Sequence, residues 1–381
     1  GLPTETDEDL EELVQLTKDL LEVGLLDTGM VNDDGVGHQV PQPLSLGAHR
    51  GVVNYEPKEL VITARAGTPL VEVEGVLADR QQMLPFEPPH FGEAATLGGT
   101  IASGLSGPRR PYTGAARDFV LGTRMINGRA EILRFGGEVM KNVAGYDLSR
   151  LMTGAFGTLG VLLEVSLKVL PAPEQEITLT QEQEPEQAIQ QMNRWAATPL
   201  PISAACYDGL TLYLRLSGAG KGVNAAHKQI GGELLANGDD FWRSMKEQQH
   251  AFFQTSQPLW RLSIAAAAAP IPLPGKQLIE WGGAQRWLVS DEDPNRIRAA
   301  ARQAGGHATL FRNGDPGGEV FHPLSPTALT LHRRLKLAFD PELFTADLDG
   351  LIQEELDKLD EWIEMFEGKY RRIGRLIDTK D

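Results

Sequence analysis

Apolar residues along the first half of the chain fall into patterns typical of alternating strands and helices. Residues 60–64 and 161–169 predict strands, since apolar and β-branched residues dominate both runs. Thr68 and Pro69 predict the start of a helix through Ala78, because proline is harmless in a first helical turn. The dipeptide Asn127-Gly128 follows a predicted strand over 118–126 and is the strongest two-residue hairpin signal, with a return strand over 130–135.

A second block of alternating elements follows Pro171 and Pro173, which mark the predicted domain boundary. The predicted strands are 177–180, 202–206, 210–216, 259–264, 277–281, 286–289 and 307–311. The predicted helices are 185–197, 224–236, 240–253 and 294–303. Strands and helices that alternate on one sheet are typical of a split βαβ arrangement.

Both ends of the chain also show helical spacing. Residues 7–23 predict a surface helix, with Thr6 or Asp7 as N-cap and Gly24 as C-cap. Residues 325–338 predict another helix. Residues 348–366 place apolar side chains on one side and acidic ones on the other, which indicates an amphipathic helix that packs either on its own domain or on a partner.

Composition narrows the functional classes. With 381 residues, 41% of them hydrophobic and 23% charged, the chain has the size and balance of a two-domain soluble protein. Its formal net charge of −16 argues against nucleic acid as a partner. The single cysteine, Cys206, excludes an internal disulfide and cannot by itself hold an iron–sulfur cluster. No apolar run approaches membrane-spanning length and no leader is visible, so we expect no transmembrane segment and a cytoplasmic location.

Two glycine-rich passages, residues 96–107 and 154–161, stand out as candidate binding chemistry. Glycine lets a backbone approach another body closely, so a flat or phosphorylated ligand is one interpretation. Turns between strands, which also collect glycine and serine, are the other. Arg109, Arg110 and Arg117 follow the first passage and leave two options open. They either bind an anionic ligand or form salt bridges with Asp118 or Glu93.

The run from about 48 to 171 resembles the FAD-binding domain of the vanillyl-alcohol-oxidase type, and within it the smaller flavin subunit of bacterial glycolate oxidase. The resemblance rests on segments 84–89, 96–111 and 137–170, in that order. It implies an α+β fold, with a two-subdomain FAD-binding domain over residues 1–173 and a smaller α/β, ferredoxin-like cap domain over 174–312. Residues 313–381 would be a return segment and helical tail.

The resemblance also implies which residues bind the cofactor, FAD. The first passage would wrap the flavin and the pyrophosphate, and the second would contact the adenosine part. The candidate cofactor-binding residues are Pro85, Thr96, Leu97, Gly98, Gly99, Thr100, Ser103, Gly104, Ser106, Gly107, Arg110, Gly157, Gly160 and Val161. Lys141, Asn142, Tyr146 and Asp147 belong to the pattern before the second passage. Neither a catalytic residue nor a metal ligand can be named from the sequence.

The chain departs from its family within residues 1–46, which are atypical. Where relatives place a phosphate-binding loop, residues 32–40 carry Asp33 and Asp34, although Gly35 and Gly37 still permit an anion-binding concavity. His38 is either a covalent attachment point for the flavin or a solvent-exposed loop residue. The histidine-rich motif of relatives that oxidise 2-hydroxy acids is missing, and His307, His322 and His332 are isolated in sequence.

Two functions therefore compete. The first is a redox flavoprotein that takes electrons from a small 2-hydroxy acid. It would pass them to an iron–sulfur subunit, alongside a larger flavin subunit of a glycolate oxidase complex, with peripheral attachment at the inner membrane through these partners as an option. The second is a non-catalytic subunit that has lost FAD and serves the assembly of the same kind of complex.

Overall fold

The computed structural model describes residues 46–137, 147–314 and 320–341. The first domain is built on a five-stranded antiparallel sheet in the order β1-β2-β6-β4-β5. These strands are β1 (Val52–Glu56), β2 (Val61–Arg65), β4 (Val120–Ile126), β5 (Ile132–Gly136) and β6 (Val161–Lys168). A separate two-stranded ladder joins β3 (Gln82–Met83) to β7 (Leu170–Pro171).

Helices cover this sheet because their apolar residues recur at helical spacing. The helices are α1 (Leu70–Ala78), α2 (Leu97–Ser103), α3 (Arg110–Thr113), α4 (Ala116–Phe119) and α5 (Leu148–Leu151). In α1, Leu70, Val73 and Leu77 share one face, and all three are fully buried in the core of this domain. The predicted hairpin at Asn127-Gly128 is confirmed, and the Asn127 side-chain oxygen accepts hydrogen bonds from two backbone N–H groups of the turn and return chain.

The cap domain is an eight-stranded sheet in the order β11-β8-β10-β9-β13-β14-β12-β15, with every pair antiparallel. Its strands are β8 (Gln175–Glu182), β9 (Ile202–Tyr207), β10 (Thr211–Gly218), β11 (Glu233–Leu234), β12 (Leu259–Ser263), β13 (Lys276–Glu280), β14 (Gln285–Val289) and β15 (His307–Arg312). Its helices are α6 (Pro185–Ala196), α7 (Gly220–Ile230), α8 (Gly238–Lys246) and α9 (Pro294–Gln303).

The cap sheet consists of two similar halves joined edge to edge. The first half runs β8-α6-β9-β10-α7-β11, which is the ferredoxin-like βαββαβ order. The second half, β12 to β15, repeats the same neighbour relations but has an extended segment where the first helix would be. Strands β9 and β13 join the halves through the pairs Ile279–Tyr207 and Glu280–Cys206. The ferredoxin-like prediction is confirmed and applies to each half.

The predicted C-terminal ends of two cap helices were wrong. The helix predicted over 224–236 stops at Ile230, because Gly231 and Gly232 both adopt positive φ and turn the chain into β11. The helix predicted over 240–253 stops at Lys246, after which Gln248 takes a φ of 52° and residues Ala251–Phe253 form a separate 3-10 turn. Apolar spacing alone did not reveal these breaks.

The chain returns to the first domain through α10 (Pro326–Phe339), close to the helix predicted over 325–338. Phe339 is buried in the first domain's core, and its carbonyl oxygen accepts the N–H of Gly128 at 2.9 Å. Lys336 donates to the carbonyl oxygen of Thr158 at 2.7 Å. The predicted helices over 7–23 and 348–366, and the interpretations of His38 and Lys141, lie outside the described residues.

Across the described ranges, no helix combines the length and apolar character required to cross a bilayer. The chain leaves the first domain at β7 and enters the cap at β8.

Candidate functional site

The first glycine-rich passage contains helix α2, which the sequence did not predict. Thr96 is its N-cap, with Oγ1 accepting the N–H of Gly99 at 3.2 Å. Gly104 ends it with a φ of 63°. A C-cap in this left-handed conformation favours glycine, so Gly104 is required by the turn itself.

The second passage lies directly against the end of α2. The N–H of Gly154 donates to the carbonyl oxygen of Ile101 at 3.0 Å, and the N–H of Phe156 donates to that of Ala102 at 2.9 Å. A Cβ on Gly104 would lie 2.9 Å from the backbone of Gly154. The two passages can touch here only because Gly104 has no side chain.

Several predicted cofactor-binding residues fill packing positions. A Cβ on Gly98 would lie 2.7 Å from the Cβ of Ala66, and one on Gly107 would lie 2.3 Å from the carbonyl oxygen of Glu87. Glycine is therefore needed at both positions for backbone contact inside the protein. The predicted residues that are buried in this way are Pro85, Leu97, Gly98, Thr100, Gly107, Gly160 and Val161.

An accessible surface is formed by some of the remaining predicted residues together with Gly154, which was not among the predicted cofactor-binding residues. Gly99 is exposed, and a Cβ there would meet only its own cap, Thr96 Oγ1, at 3.3 Å. Ser103, one helical turn further, is half-buried on the same face of α2. Gly154 has open space around its Cβ position, with no atom within 4 Å. We call Gly99, Ser103, Gly104 and Gly154 the glycine strip.

A cleft lies between the loop after the glycine strip and the cap sheet. On the first-domain side it is lined by Leu105 to Pro108, and on the cap side by residues of β12, β13, β14 and the chain after α8. We call this space the interdomain cleft.

Trp281 lines the cap side of the cleft together with Arg261, and its ring contacts two cations, one of which comes from the first domain. Arg110 and Arg261 lie on the indole of Trp281, at 4.3 Å and 5.1 Å from the ring centroid. Burial, together with the charge of Arg110, lowers the pKa of Arg261 to about 10. Burial and the charge of Arg117 lower the pKa of Arg110 as well. The opposing charges of Glu280 on Arg261 and of Asp118 on Arg110 offset these effects only in part.

Glu280 lies on the same wall and is buried. Its Oε2 accepts hydrogen bonds from Trp287 Nε1 at 2.6 Å and from Gln285 Nε2 at 3.1 Å. Burial raises the pKa of this carboxyl, and the two hydrogen bonds and Arg261 only partly oppose that effect. Arg261 in turn donates from Nε to Gln285 Oε1 at 2.8 Å. A single hydrogen-bonded chain thus joins the arginine to the carboxyl group.

A second group of charges at the same domain interface is fully paired. Glu87 of the first domain contacts Arg109 at 3.2 Å and the cap's Arg215 at 2.8 Å. Arg109 also reaches Glu176 of the cap at 2.5 Å. Burial alone would raise the pKa of Glu87, but Arg215 and Arg109 outweigh it and hold that pKa below its ordinary value. We call these four residues the ion-pair cluster.

The ion-pair cluster corrects the salt bridges predicted for the arginines. Arg109 pairs with Glu87 and Glu176 rather than with Asp118 or Glu93. Asp118 instead accepts the backbone N–H of Ala115 and caps the short helix α4. Arg117 is exposed.

The cleft also contains a polar atom without a hydrogen-bond partner. Gln248 is buried and lines the cleft, and its Oε1 has no hydrogen-bond partner among the described residues. Buried polar atoms without a partner are exceptions in folded proteins. The open positions at Gly99 and Gly154 are compatible with a bound cofactor. No group of three His, Cys, Asp or Glu residues in the described ranges is arranged to hold a metal ion.

Sequence reasoning missed Gln248, Arg261, Glu280 and Trp281. These residues lie on different cap elements, and only folding brings them to the cleft. The one local signal was Gly282-Gly283 between two predicted strands. These glycines belong to the turn in which the backbone of Trp281 adopts a φ of 54°.

Comparison with known proteins agrees with this fold. A family model described as "FAD binding domain" matches residues 28–136. The solved structure of an alkyldihydroxyacetonephosphate synthase superimposes with a TM-score of 0.59 at 15% sequence identity, over 88% of this chain and 74% of that one. The fold, the matched domain and the cleft together define an FAD-binding oxidoreductase of the vanillyl-alcohol-oxidase type.

Similarity in sequence is more specific. The chain is 53% identical over 300 residues to glycolate oxidase subunit GlcE of Escherichia coli (strain K12), which covers 79% of this chain and 84% of that protein. It is 32% identical over 128 residues to glycolate oxidase subunit GlcD of Bacillus subtilis (strain 168), covering 34% of this chain and 27% of that protein. The chain belongs to the glycolate oxidase subunit GlcE family.

Proposed function

We propose that this chain is the FAD-containing subunit of a glycolate oxidase complex, in which electrons leave a small 2-hydroxy acid, reach FAD and pass to an iron–sulfur subunit. Membership in the GlcE family supports the substrate class and the complex. The observation that carries the proposal is the pair of touching glycine-rich passages beside a cleft that the cap covers.

The glycine strip is where this chain would hold the cofactor. Gly99 and Gly154 leave backbone accessible, and Ser103 adds a hydroxyl group on the same face of α2. Ser106 is the half-buried residue at the mouth of the cleft, and Gly157 completes the second passage. When bound, FAD supplies a two-electron acceptor. The chain's own residues would orient the acid, exclude water and accept the proton of its hydroxyl group.

The electrons need a further acceptor outside this chain. The sequence has one cysteine, and an iron–sulfur cluster is held by several thiolates. Cys206 is also fully buried in β9, where burial raises its thiol pKa well above the ordinary value. A partner subunit must therefore carry any cluster, with a larger flavin subunit in the same assembly. We place this complex in the cytoplasm, with attachment at the inner membrane through its partners.

The visible absorption spectrum of the purified full chain tests the proposal. We expect bound flavin in the wild-type protein and its loss in Gly99→Val, because a side chain there projects from the open face of α2. Gly75→Val is the matched control, since Gly75 is an exposed glycine of α1 with no atom within 4 Å of its Cβ position. Equal flavin content in both variants would contradict the proposed role of Gly99. Acid release then separates dissociable flavin from a covalent link at His38.

A second candidate is an FAD-free assembly subunit. It is favoured by Asp33 and Asp34 in the segment where relatives bind phosphate, since carboxylates repel a pyrophosphate. A colourless wild-type chain that still co-purifies with flavin and iron–sulfur partners would support this candidate over the first.

A further inference from the structure

We propose that residues 90–94 of the first domain form a strap at one side of the interdomain cleft, and that Glu247 of the cap is the latch that holds this strap closed. Release of the latch would let small molecules enter and leave the cleft faster. The inference concerns access to the cleft on which the proposed function also rests, but it does not depend on which ligand the cleft binds.

Both ends of the strap are fixed to well-packed parts of the protein. Before the strap, the carbonyl oxygen of Phe86 accepts the N–H of Gly107 at 2.9 Å, and Glu87 belongs to the ion-pair cluster. After the strap, the carbonyl oxygen of Ala95 accepts the N–H of Leu70 at 2.8 Å. The strap is therefore a short segment between two fixed points.

The backbone of the strap is held by one side chain of the other domain. Glu247, the C-cap residue of α8, accepts the backbone N–H groups of His90 and Phe91 with its Oε2, each at 2.9 Å. The N–H groups of residues 92–94 donate to no acceptor in the described parts of the chain. The His90 ring contacts Glu74 of α1 at 2.9 Å. Loss of the latch would therefore free the strap from Phe91 onward.

The latch is strong because its acceptor carries a charge. Burial alone would raise the pKa of Glu247, but the N–H of Phe91 and the charge of Lys246 outweigh it and lower that pKa. Lys246 Nζ lies 3.1 Å from the second carboxylate oxygen, Oε1. The carboxylate is thus ionised at neutral pH, and hydrogen bonds to an ionised acceptor are stronger than those between neutral groups.

The closed strap has a strained backbone that release of the latch would relieve. Phe91 adopts a φ of 53°, in the left-handed region that a bulky side chain rarely enters. Such a conformation costs free energy and persists only where the surrounding structure enforces it. Gly92 follows with a φ of 148° and no atom within 4 Å of its Cβ position, so the chain can rotate there without a collision.

The side chain of Phe91 connects the strap to the cleft. Phe91 and Pro89 both line the cleft, and Lys246, beside the latch, lines it from the cap. Phe91 is also 50% exposed, so its ring lies between the cleft and the solvent. A large apolar ring in this position narrows the route into the cleft. The latch then determines how long the route stays narrow.

The buried cysteine of this chain makes access to the cleft measurable. Cys206 is the single cysteine and is buried, so a cysteine placed in the cleft is the only thiol that a neutral alkylating reagent can reach. Ser106→Cys introduces such a thiol, because Ser106 lines the cleft and differs from cysteine by one atom. The test measures the rate at which iodoacetamide alkylates this thiol in the full chain as purified, in samples of equal flavin content.

Glu247→Ala, added to Ser106→Cys, should raise the alkylation rate by about 10- to 100-fold, as expected for loss of hydrogen bonds to a charged acceptor. Glu247→Gln should give an intermediate rate, because its amide oxygen still accepts both hydrogen bonds but without the charge. Phe91→Ala should raise the rate while the latch is intact, because the ring is gone. In hydrogen exchange, the amides of His90 and Phe91 should lose protection in Glu247→Ala, and the same two amides should keep it in Phe91→Ala.

Glu59→Ala is the matched control, because Glu59 is an exposed carboxylate outside the cleft whose side chain has no partner among the described residues. It should leave the alkylation rate unchanged, and urea unfolding midpoints confirm that every variant is folded. Unchanged rates in both Glu247→Ala and Phe91→Ala would overturn the inference. A faster rate in Phe91→Ala alone would also overturn it, since the ring would then restrict access without any latch.

The two proposals fail separately. A yellow protein whose alkylation rate does not respond to Glu247→Ala refutes this inference and leaves the flavin proposal intact. A colourless protein with a latch-dependent alkylation rate refutes the flavin proposal alone.

Discussion

Two groups of buried charge lie at the interface between the first domain and the cap, and they begin at consecutive residues. The side chain of Arg109 is part of the ion-pair cluster, in which two carboxylates contact two guanidinium groups. The side chain of Arg110 lies on Trp281, which it shares with Arg261, and it forms no salt bridge among the described residues. Neighbours in sequence thus enter environments of opposite electrostatic character.

The difference separates a structural role from a binding role. The ion-pair cluster crosses between domains and anchors the loop after the glycine strip, because Glu87 also accepts the backbone N–H of Arg109 at 3.0 Å. Each charge there is neutralised within the protein. Around Trp281, by contrast, Arg110 and Arg261 form no salt bridge among the described residues. A fully paired group has little to offer a ligand, whereas an unbalanced group does.

The largest effect is expected from removing the central charge of the ion-pair cluster. Glu87→Gln keeps the shape of the side chain but leaves Arg109 and Arg215 with one carboxylate between them. We expect a loss of about 3–5 kcal/mol in the free energy of unfolding, measured by urea denaturation. Glu292→Gln, which affects the exposed pair with Arg296, should stay within about 1 kcal/mol. A similarly small loss of unfolding free energy in both variants would contradict a structural role for the cluster.

The contribution of Glu87 to the stability of the protein should change with pH in one direction. The pKa of Glu87 is lowered in the folded protein, so its contribution to stability is present above the ordinary value of 4.5. That contribution is lost as the pH falls towards the folded pKa. Wild-type protein should therefore lose more stability than Glu87→Gln between pH 6 and pH 3.

Arg109 and Arg110, which are adjacent in sequence, provide the next test of whether the two environments differ. Arg109→Met should lower the free energy of unfolding by about 3 kcal/mol, because Glu176 and Glu87 each lose a cation. Arg110→Met should change it by less than about 1 kcal/mol, since the change leaves no carboxylate unpaired. Both variants receive the same side chain one residue apart, and equal losses in urea denaturation would show that the two environments do not differ.

Glu280→Gln should have a smaller effect, opposite in sign to that of Glu87. The pKa of Glu280 is raised by burial, so its favourable contribution is full below the ordinary value of 4.5 and is lost as the pH rises through the folded pKa. The variant mimics the protonated side chain. Its urea midpoint should match that of the wild type at pH 4 and exceed it at pH 8. A variant that is less stable at both values would contradict the raised pKa.

Local patterns predicted the elements but not their long-range partners. The hairpin at Asn127-Gly128 and the helices over 70–78, 185–196 and 294–303 follow from turn chemistry and apolar spacing, and the structure has them. The roles of the arginines depend on residues far apart in sequence: Arg215 and Glu87 are separated by 128 positions. The glycines of the first passage looked alike in sequence, yet Gly98 packs against Ala66 while Gly99 is open. Only the folded backbone distinguishes them.

The seam between the cap's halves has a consequence for how this domain fluctuates. Strands β9 and β13 meet through only two residue pairs, one of which includes Glu280, while the strands within each half pair over five or more residues along most of their length. The halves should behave as two cooperative units in native-state hydrogen exchange, with amides near 206 and 280 exchanging through the lowest-energy opening. Opening at that seam would expose the buried Glu280 carboxyl group to water. It would also expose the cap side of the cleft before either half unfolds.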